Sequence, residues 1–239
     1  MTIAQATPIV SAWPTAGAIT SGQTLASSKL TGGIASVPGS FAFTSPTTAP
    51  SPGTTMQSVT FTPTDLTDYS SVTGTVNVTV SKATASVTLG SLNQTYTGSP
   101  VSATATTNPA GLTVNFTYNG SVTSPTAAGT YTVVGTINDP NYQGSATGTL
   151  TIAKATPIVS AWPTASNLIH GQTLAKSNLT GGTASVLGKF AWTTTGLVPP
   201  MGISAQSVTF TPTDSIDYKP VVGTVKITVT DRDGDFDDD

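Results

Sequence analysis

The sequence has no cysteine and no glutamate, a single histidine, His170, and a single arginine, Arg232. Charged residues make up 8% of its 239 positions, with a formal net charge of −3. Each shortage excludes something. Without cysteine no disulfide can staple a domain and no thiolate can bind zinc, so every domain rests on its apolar core. A nucleophile paired with a base, or a carboxylate dyad, draws on side chains that are scarce here, because six of the eleven acidic residues fall in the last nine positions. The expectation is a chain that is not an enzyme. Sparse, slightly acidic charge gives no footprint for nucleic acid or an anionic membrane. No apolar run approaches the ~20 residues of a membrane span. No basic stretch followed by an apolar one succeeds Met1, so no signal peptide is expected there.

What the sequence has in abundance is repetition. Ala6-Thr-Pro-Ile-Val-Ser-Ala-Trp-Pro-Thr-Ala16 returns letter for letter at Ala155 to Ala165. Gly22-Gln-Thr-Leu-Ala26 returns at Gly171 to Ala175, and Gln57 to Asp65 returns at Gln206 to Asp214, without a gap. About 60% of positions from Ala6 to Lys82 match their partners, and self-similarity at a fixed period takes priority over any local reading. The chain divides into a short lead (1–5), a first repeat (6–82), a different middle segment (83–153), a second copy of the repeat (154–230) and an acidic tail (231–239). Thr2-Ile-Ala4 mirrors Thr151-Ile-Ala153, which closes the middle segment. The lead is therefore expected to be the remnant of an upstream domain's last strand, and the chain a piece of a longer array.

All segments read as strands. Period-two alternation of Val, Phe and Thr, bounded by Gly, Pro, Asn and Ser, marks half-buried strands at 39–44, 57–62 and 76–80, with further strands expected at 8–13 and 22–25. In the middle segment strands are expected at 85–89, 101–106, 112–118, 129–137 and 146–152, with a hairpin turn at Asn119-Gly120. Each segment ends alike: an Asp-containing turn, then Tyr69, Tyr142 or Tyr218, then a Gly-Thr-led final strand. Immunoglobulin-like sandwiches use a tyrosine hydroxyl to bond backbone near such a corner, and that structural role is expected for these three. The junctions Ser81-Lys82-Ala83 and Ala153-Lys154-Ala155 carry no Gly/Ser linker.

The middle segment, with Leu92-Asn-Gln-Thr-Tyr-Thr-Gly-Ser-Pro100, Thr107-Asn-Pro-Ala-Gly111, Ala128-Gly-Thr-Tyr131 and Asn138-Asp-Pro-Asn-Tyr142, resembles the MBG-type Ig-like repeats of large bacterial surface proteins. The flanking repeats resemble a related class that usually carries Tyr-Gly-Gln-Thr-Leu, with Ser21 and His170 standing at the tyrosine. The resemblance implies an all-β chain of three tandem Ig-like β-sandwich domains in an elongated array. It implies a stalk or spacer of a bacterial secreted or surface protein, located outside the cell. The tail, Asp231-Arg-Asp-Gly-Asp-Phe-Asp-Asp-Asp239, resembles the start of Asp-rich calcium repeats. Asp231, Asp233, Asp235 and Asp237 are the candidate Ca²⁺ ligands, set against a merely solvated acidic terminus.

Trp13 and Trp162 each precede a proline near a first strand. An aromatic platform for sugars is one reading, and packing in the core or against the neighbouring domain is the plainer one. His170 has no partner residue by motif and reads as a surface or half-packed side chain. Lys82 and Lys154 sit at junctions, the wrong place for an internal isopeptide bond. Expected partners are the neighbouring repeats. Two rival readings stay open: an adhesive module binding glycan or host protein through the divergent loops Ser45–Gly53 and Thr194–Ile203, and a subunit that assembles with copies of itself.

Overall fold

The computed structural model describes residues 4–231. Among these the fold is all-β, with two single-turn 3₁₀ segments and no α-helix. The first repeat forms β1 (Val10–Ala12), β2 (Thr15–Ala16), β3 (Ile19–Thr20), β4 (Leu30–Thr31), β5 (Ile34–Ala35), β6 (Gly39–Phe43), β7 (Gly53–Pro63) and β8 (Val72–Ser81). The middle segment forms β9 (Ala83–Thr84), β10 (Ser86–Gly90), β11 (Asn93–Thr95), β12 (Thr104–Asn108), β13 (Val114–Tyr118), β14 (Gly129–Ile137), β15 (Tyr142–Gln143) and β16 (Ser145–Ala153). The second copy repeats the first as β17 (Val159–Ala161), β18 (Thr164–Ala165), β19 (Leu168–Ile169), β20 (Leu179–Thr180), β21 (Thr183–Ala184), β22 (Gly188–Trp192), β23 (Gly202–Pro212) and β24 (Val221–Thr230).

In each repeat the long strands build one layer, ordered β3-β8-β7-β6 and β19-β24-β23-β22. Alternation decides which face is inside: Val76, Val78 and Val80 are buried while Asn77, Thr79 and Ser81, which alternate with them, are exposed. Trp13, Ala16 and Leu30 pack over this face from the short pairs β1-β5 and β2-β4, which makes a second layer around Ile19, Leu25, Phe43 and Val59. The first strand changes sheets as it runs. β1 pairs antiparallel with β5, the buried Pro14 follows, and β3 then pairs parallel with β8. Exposed hydroxyls pair across strands outside the core, as in Thr44 Oγ1 to Thr60 Oγ1 at 2.8 Å and Thr193 Oγ1 to Thr209 Oγ1 at 2.8 Å.

Two expectations about elements change. Gly22 to Leu25 is not a strand. Gly22 has φ +90° in a turn, and a 3₁₀ turn at Leu25–Ser27 drops Leu25 into the core; Gly171 and Leu174–Lys176 do the same. Four residues of alternation are too few to separate a strand from a turn that buries one side chain. The expected strand at 57–62 is longer: β7 starts at Gly53, because Gly53 to Met56 pair with Val80 to Asn77. The turn at Asn119-Gly120 forms as expected. Both residues have positive φ, 49° and 84°, and Tyr118 and Ser121 exchange backbone bonds across it, the two-residue geometry that suits the twist of flanking strands.

Backbone contacts divide the chain into two compact units. One runs to Gly90 and includes Ala105–Phe116 and Val134–Thr147; the other takes Ser91–Thr104, Thr117–Val133 and everything from Gly148 on. The division crosses β12, β13, β14 and β16, each of which contributes residues to both units.

Candidate docking site at the strand-entry corners

The same corner is built three times. Asp65 Oδ1 accepts the backbone N–H groups of Thr67 and Asp68 at 2.9 and 3.2 Å. Asp139 Oδ1 accepts those of Asn141 and Tyr142 at 2.8 and 3.0 Å, and Asp214 Oδ1 those of Ile216 and Asp217, both at 3.1 Å. A short carboxylate that satisfies the N–H groups two and three residues on folds the chain into a tight turn without help from distant parts. The turn presents the next residues as an edge, and the strand entering the segment pairs with that edge. The N–H of Ala6, Ala83 and Ala155 donates to the carbonyl of Asp68, Asn141 and Asp217 respectively, each at 2.8 Å. The residue ahead of the entering strand then reaches onto the same turn. Gln5 Nε2 donates to Leu66 O, Lys82 Nζ to Asp139 O at 2.7 Å and Lys154 Nζ to Ser215 O at 2.5 Å. The two junction lysines therefore fasten each segment's start to its own closing turn.

Tyr69, Tyr142 and Tyr218 serve this corner through their backbones. They bridge in parallel to Ala6, Ala83 and Ala155. The expected hydroxyl bond to backbone is not among the contacts of these three within the described residues. Tyr131 makes it instead, donating from Oη to Ala127 O at 2.8 Å across the turn that leads into β14. Tyr131 lies on β14 close to the turn that its hydroxyl spans.

Trp13 and Trp162 are half-buried within their own repeats. Trp13 meets Phe41 edge-on at 5.7 Å and lies over Gly74, where an added Cβ would come within 2.2 Å of the ring; Trp162 stands likewise against Phe190 and Gly223. A shallow cavity of 410 Å³ beside Trp162 is lined by Pro163, Thr164, Thr224 and Lys226. Phe43 and its counterpart Trp192 are both buried, and the indole N–H of Trp192 is satisfied by Ser177 O at 3.0 Å. His170 is exposed. Of the candidate Ca²⁺ ligands, Asp233, Asp235 and Asp237 lie outside the described residues, and Asp231 follows β24. No group of three His, Cys, Asp or Glu side chains that could hold a metal ion occurs among the described residues.

The corner of the second copy is occupied. Tyr96, from the middle segment, sets its ring edge-on to Tyr218 at 5.3 Å, and the backbone N–H of Ala128 donates to Asp217 Oδ1 at 2.6 Å. All four residues belong to the second compact unit. Partial burial and the neighbouring Asp217 carboxylate raise the Tyr96 phenol above its ordinary value, with Tyr218 adding to the effect. In the first unit, the middle segment's corner is met by the first repeat: Ser21 Oγ donates to Asn141 Oδ1 at 3.3 Å beside a cavity of 240 Å³ that Pro50, Ser51 and Tyr142 also line. The sequence reading missed Tyr96, Asp217 and Ala128. The signal was present: Tyr96-Thr-Gly98 and Ala128-Gly-Thr-Tyr131 are marks of the middle segment, and Asp-Tyr recurs at both repeat corners.

This middle segment decides the comparison with known families. Residues 85–156 match the MBG domain. No curated protein matches the chain. Among solved structures, the chain is similar to Sidekick-1 immunoglobulin domains 1–5, at 10% identity over 94% of this chain with a TM-score of 0.38. It spans 59% of that fragment's length. It is also similar to an I-band fragment of titin, at 11% identity over 95% of this chain and 100% of the fragment, with a TM-score of 0.40. The segment that matches the MBG domain thus lies in the sequence between two copies of a different all-β repeat, and residues of it take part in each of the meetings described above. Among the described residues no helix is long and apolar enough to cross a membrane.

Proposed function

We propose that the chain is a non-catalytic spacer segment of a bacterial secreted or cell-surface repeat protein, which holds another module away from its point of attachment. The observation that carries this reading is the recurrence of one entry corner at all three segments. Each takes up its incoming strand directly, with Lys82 or Lys154 as the only residue between the last strand of one segment and the first pairing of the next. A binding or catalytic protein has no need of the same fastening three times, whereas a series of small cores joined end to end does. The match of residues 85–156 to the MBG domain supports an extracellular repeat protein. The partners of such a segment are its own neighbouring domains.

One observation favours the adhesive reading as a second possibility. The loop after β22 exposes Leu197 and Val198, at 43% and 47%, where the first repeat has Thr48 and Ala49. Both loops are tied down, since Leu197 O and Thr48 O each accept an N–H from the nearby 3₁₀ turn at 2.8 Å. A screen against glycan and extracellular-protein arrays separates the two readings. A spacer binds nothing reproducibly. Binding that disappears when residues 194–203 are exchanged for residues 45–53 would replace the spacer reading with adhesion.

A further inference from the structure

The two copies of the repeat carry the same corner, and among the described residues only the second has its seat filled. In the second copy Asp217 is half-buried, its carboxylate takes the Ala128 N–H, and Tyr218 receives the ring of Tyr96. In the first copy Asp68 and Tyr69 occupy the same places in the same turn, with the same backbone bond from the entering strand. Asp68 is exposed, and cavities of 470 and 390 Å³ open on either side of Tyr69, lined by Ala4, Ala6 and Thr67 on one and by Val37, Pro38 and Thr64 on the other. The turn around Asp68 is held by Asp65, as the turn around Asp217 is held by Asp214, so the geometry that receives a partner is already set before one arrives.

We propose that Asp68 and Tyr69 form the seat for an MBG-type domain joined directly ahead of Gln5, which would lay a tyrosine ring edge-on to Tyr69 and donate a backbone N–H to Asp68. The occupant follows from the filled seat, where the middle segment supplies those two groups. The direct join follows from size. One ring contact and one hydrogen bond are far below the area that holds two separate proteins together, so the contact needs a partner kept at high local concentration by the chain itself. Gln5 fits such a join, because it fastens to Leu66 O just as Lys154 fastens to Ser215 O after the middle segment ends. The inference rests on the spacer reading and adds to it what stands on the N-terminal side of the first repeat and through which groups.

The test uses oxidative dityrosine crosslinking, which joins tyrosine rings already in contact. The full chain from Gln5 on is extended by placing a second copy of residues 83–153 directly ahead of it. The peptide around Tyr69 is distinguishable from that around Tyr218, since Leu66-Thr-Asp-Tyr-Ser70 differs from Ser215-Ile-Asp-Tyr-Lys219. The expected products are two: the link between Tyr96 and Tyr218, and a new link from Tyr69 to the tyrosine of the added domain that corresponds to Tyr96. Asp68→Ala is expected to reduce the second at least severalfold and leave the first unchanged. A Tyr69 peptide that stays unlinked while Tyr218 is linked overturns the proposal and leaves the spacer reading standing. Absence of both links overturns the proposal by removing the Tyr96–Tyr218 contact from which the occupant was read, and leaves the entry corners on which the spacer reading rests untouched.

Discussion

Gly74 carries the ring of Trp13, and Gly223 that of Trp162. A methyl group at either place would meet three ring atoms between 2.2 and 2.7 Å. The glycine of the Gly-Thr pair near the start of each repeat's last strand is thus a packing requirement, since only a residue without a side chain lets the indole lie on the backbone. Gly74→Ala and Gly223→Ala are each expected to cost about 1–3 kcal/mol by forcing the indole out of place, measured by urea unfolding with tryptophan emission. A variant as stable as the parent would show that the ring can move freely. Tyr96 gives a second residue-scale prediction. Its folded pKa lies above its ordinary value, chiefly through burial and then through the Asp217 charge. The folded state therefore holds the phenol proton more tightly than the unfolded state does. The stability from this contact is present below the unfolded value of about 10 and is lost as pH rises through the folded value. Above about pH 10 the parent should lose stability more steeply than Tyr96→Phe, which has no proton to lose. Parallel slopes would contradict this.

At the scale of the element, the corner turn is a local structure with a long reach. Asp139 binds two N–H groups of its own turn, and the turn's carbonyls then hold Ala83 and Lys82, more than fifty residues earlier in the chain. Asp139→Ala is expected to destabilise the middle segment by about 1 kcal/mol and to loosen the entering strand, read as faster amide exchange at Ala83 and Ala85. Much at this scale was legible. Val76, Val78 and Val80 alternate with polar residues over a length that only a strand satisfies, and Asn119-Gly120 allows the positive φ values that the turn requires. What was not legible depended on partners far off in sequence. The hydroxyl bond fell to Tyr131 rather than Tyr142, because only the folded hairpin decides which ring lies above a free carbonyl.

At the scale of the whole molecule, the middle segment is shared, with β14 and β16 contributing to both compact units. Its meeting with the second copy joins the Tyr96–Tyr218 ring contact to one carboxylate, that of Asp217. Asp217→Ala removes the acceptor of the Ala128 N–H. The amide of Ala128 is then expected to exchange about tenfold faster, the effect of losing a charge-assisted bond worth about 1.5 kcal/mol. The amide of Ala155, which donates to the backbone carbonyl of the same residue, should be unaffected. Equal acceleration at both would mean that the substitution had unfolded the turn rather than broken the contact.

By itself the sequence determined the all-β class, the duplication of the repeat and the scarcity of His, Cys and Glu, which follow from composition and periodicity and act residue by residue; the kinship of the middle segment was legible as a resemblance carried by its motifs. The tertiary structure alone decided that Trp13 and Trp162 face their own repeats, that Lys82 and Lys154 reach forward to the closing turn of the segment they begin, and that Tyr96 lies on Tyr218. Each of these is a pairing between groups that are dozens of residues apart. Two corners that share an Asp-Tyr pair and the same turn can differ in what fills them, and that difference exists only once the chain has brought a second surface to one of them.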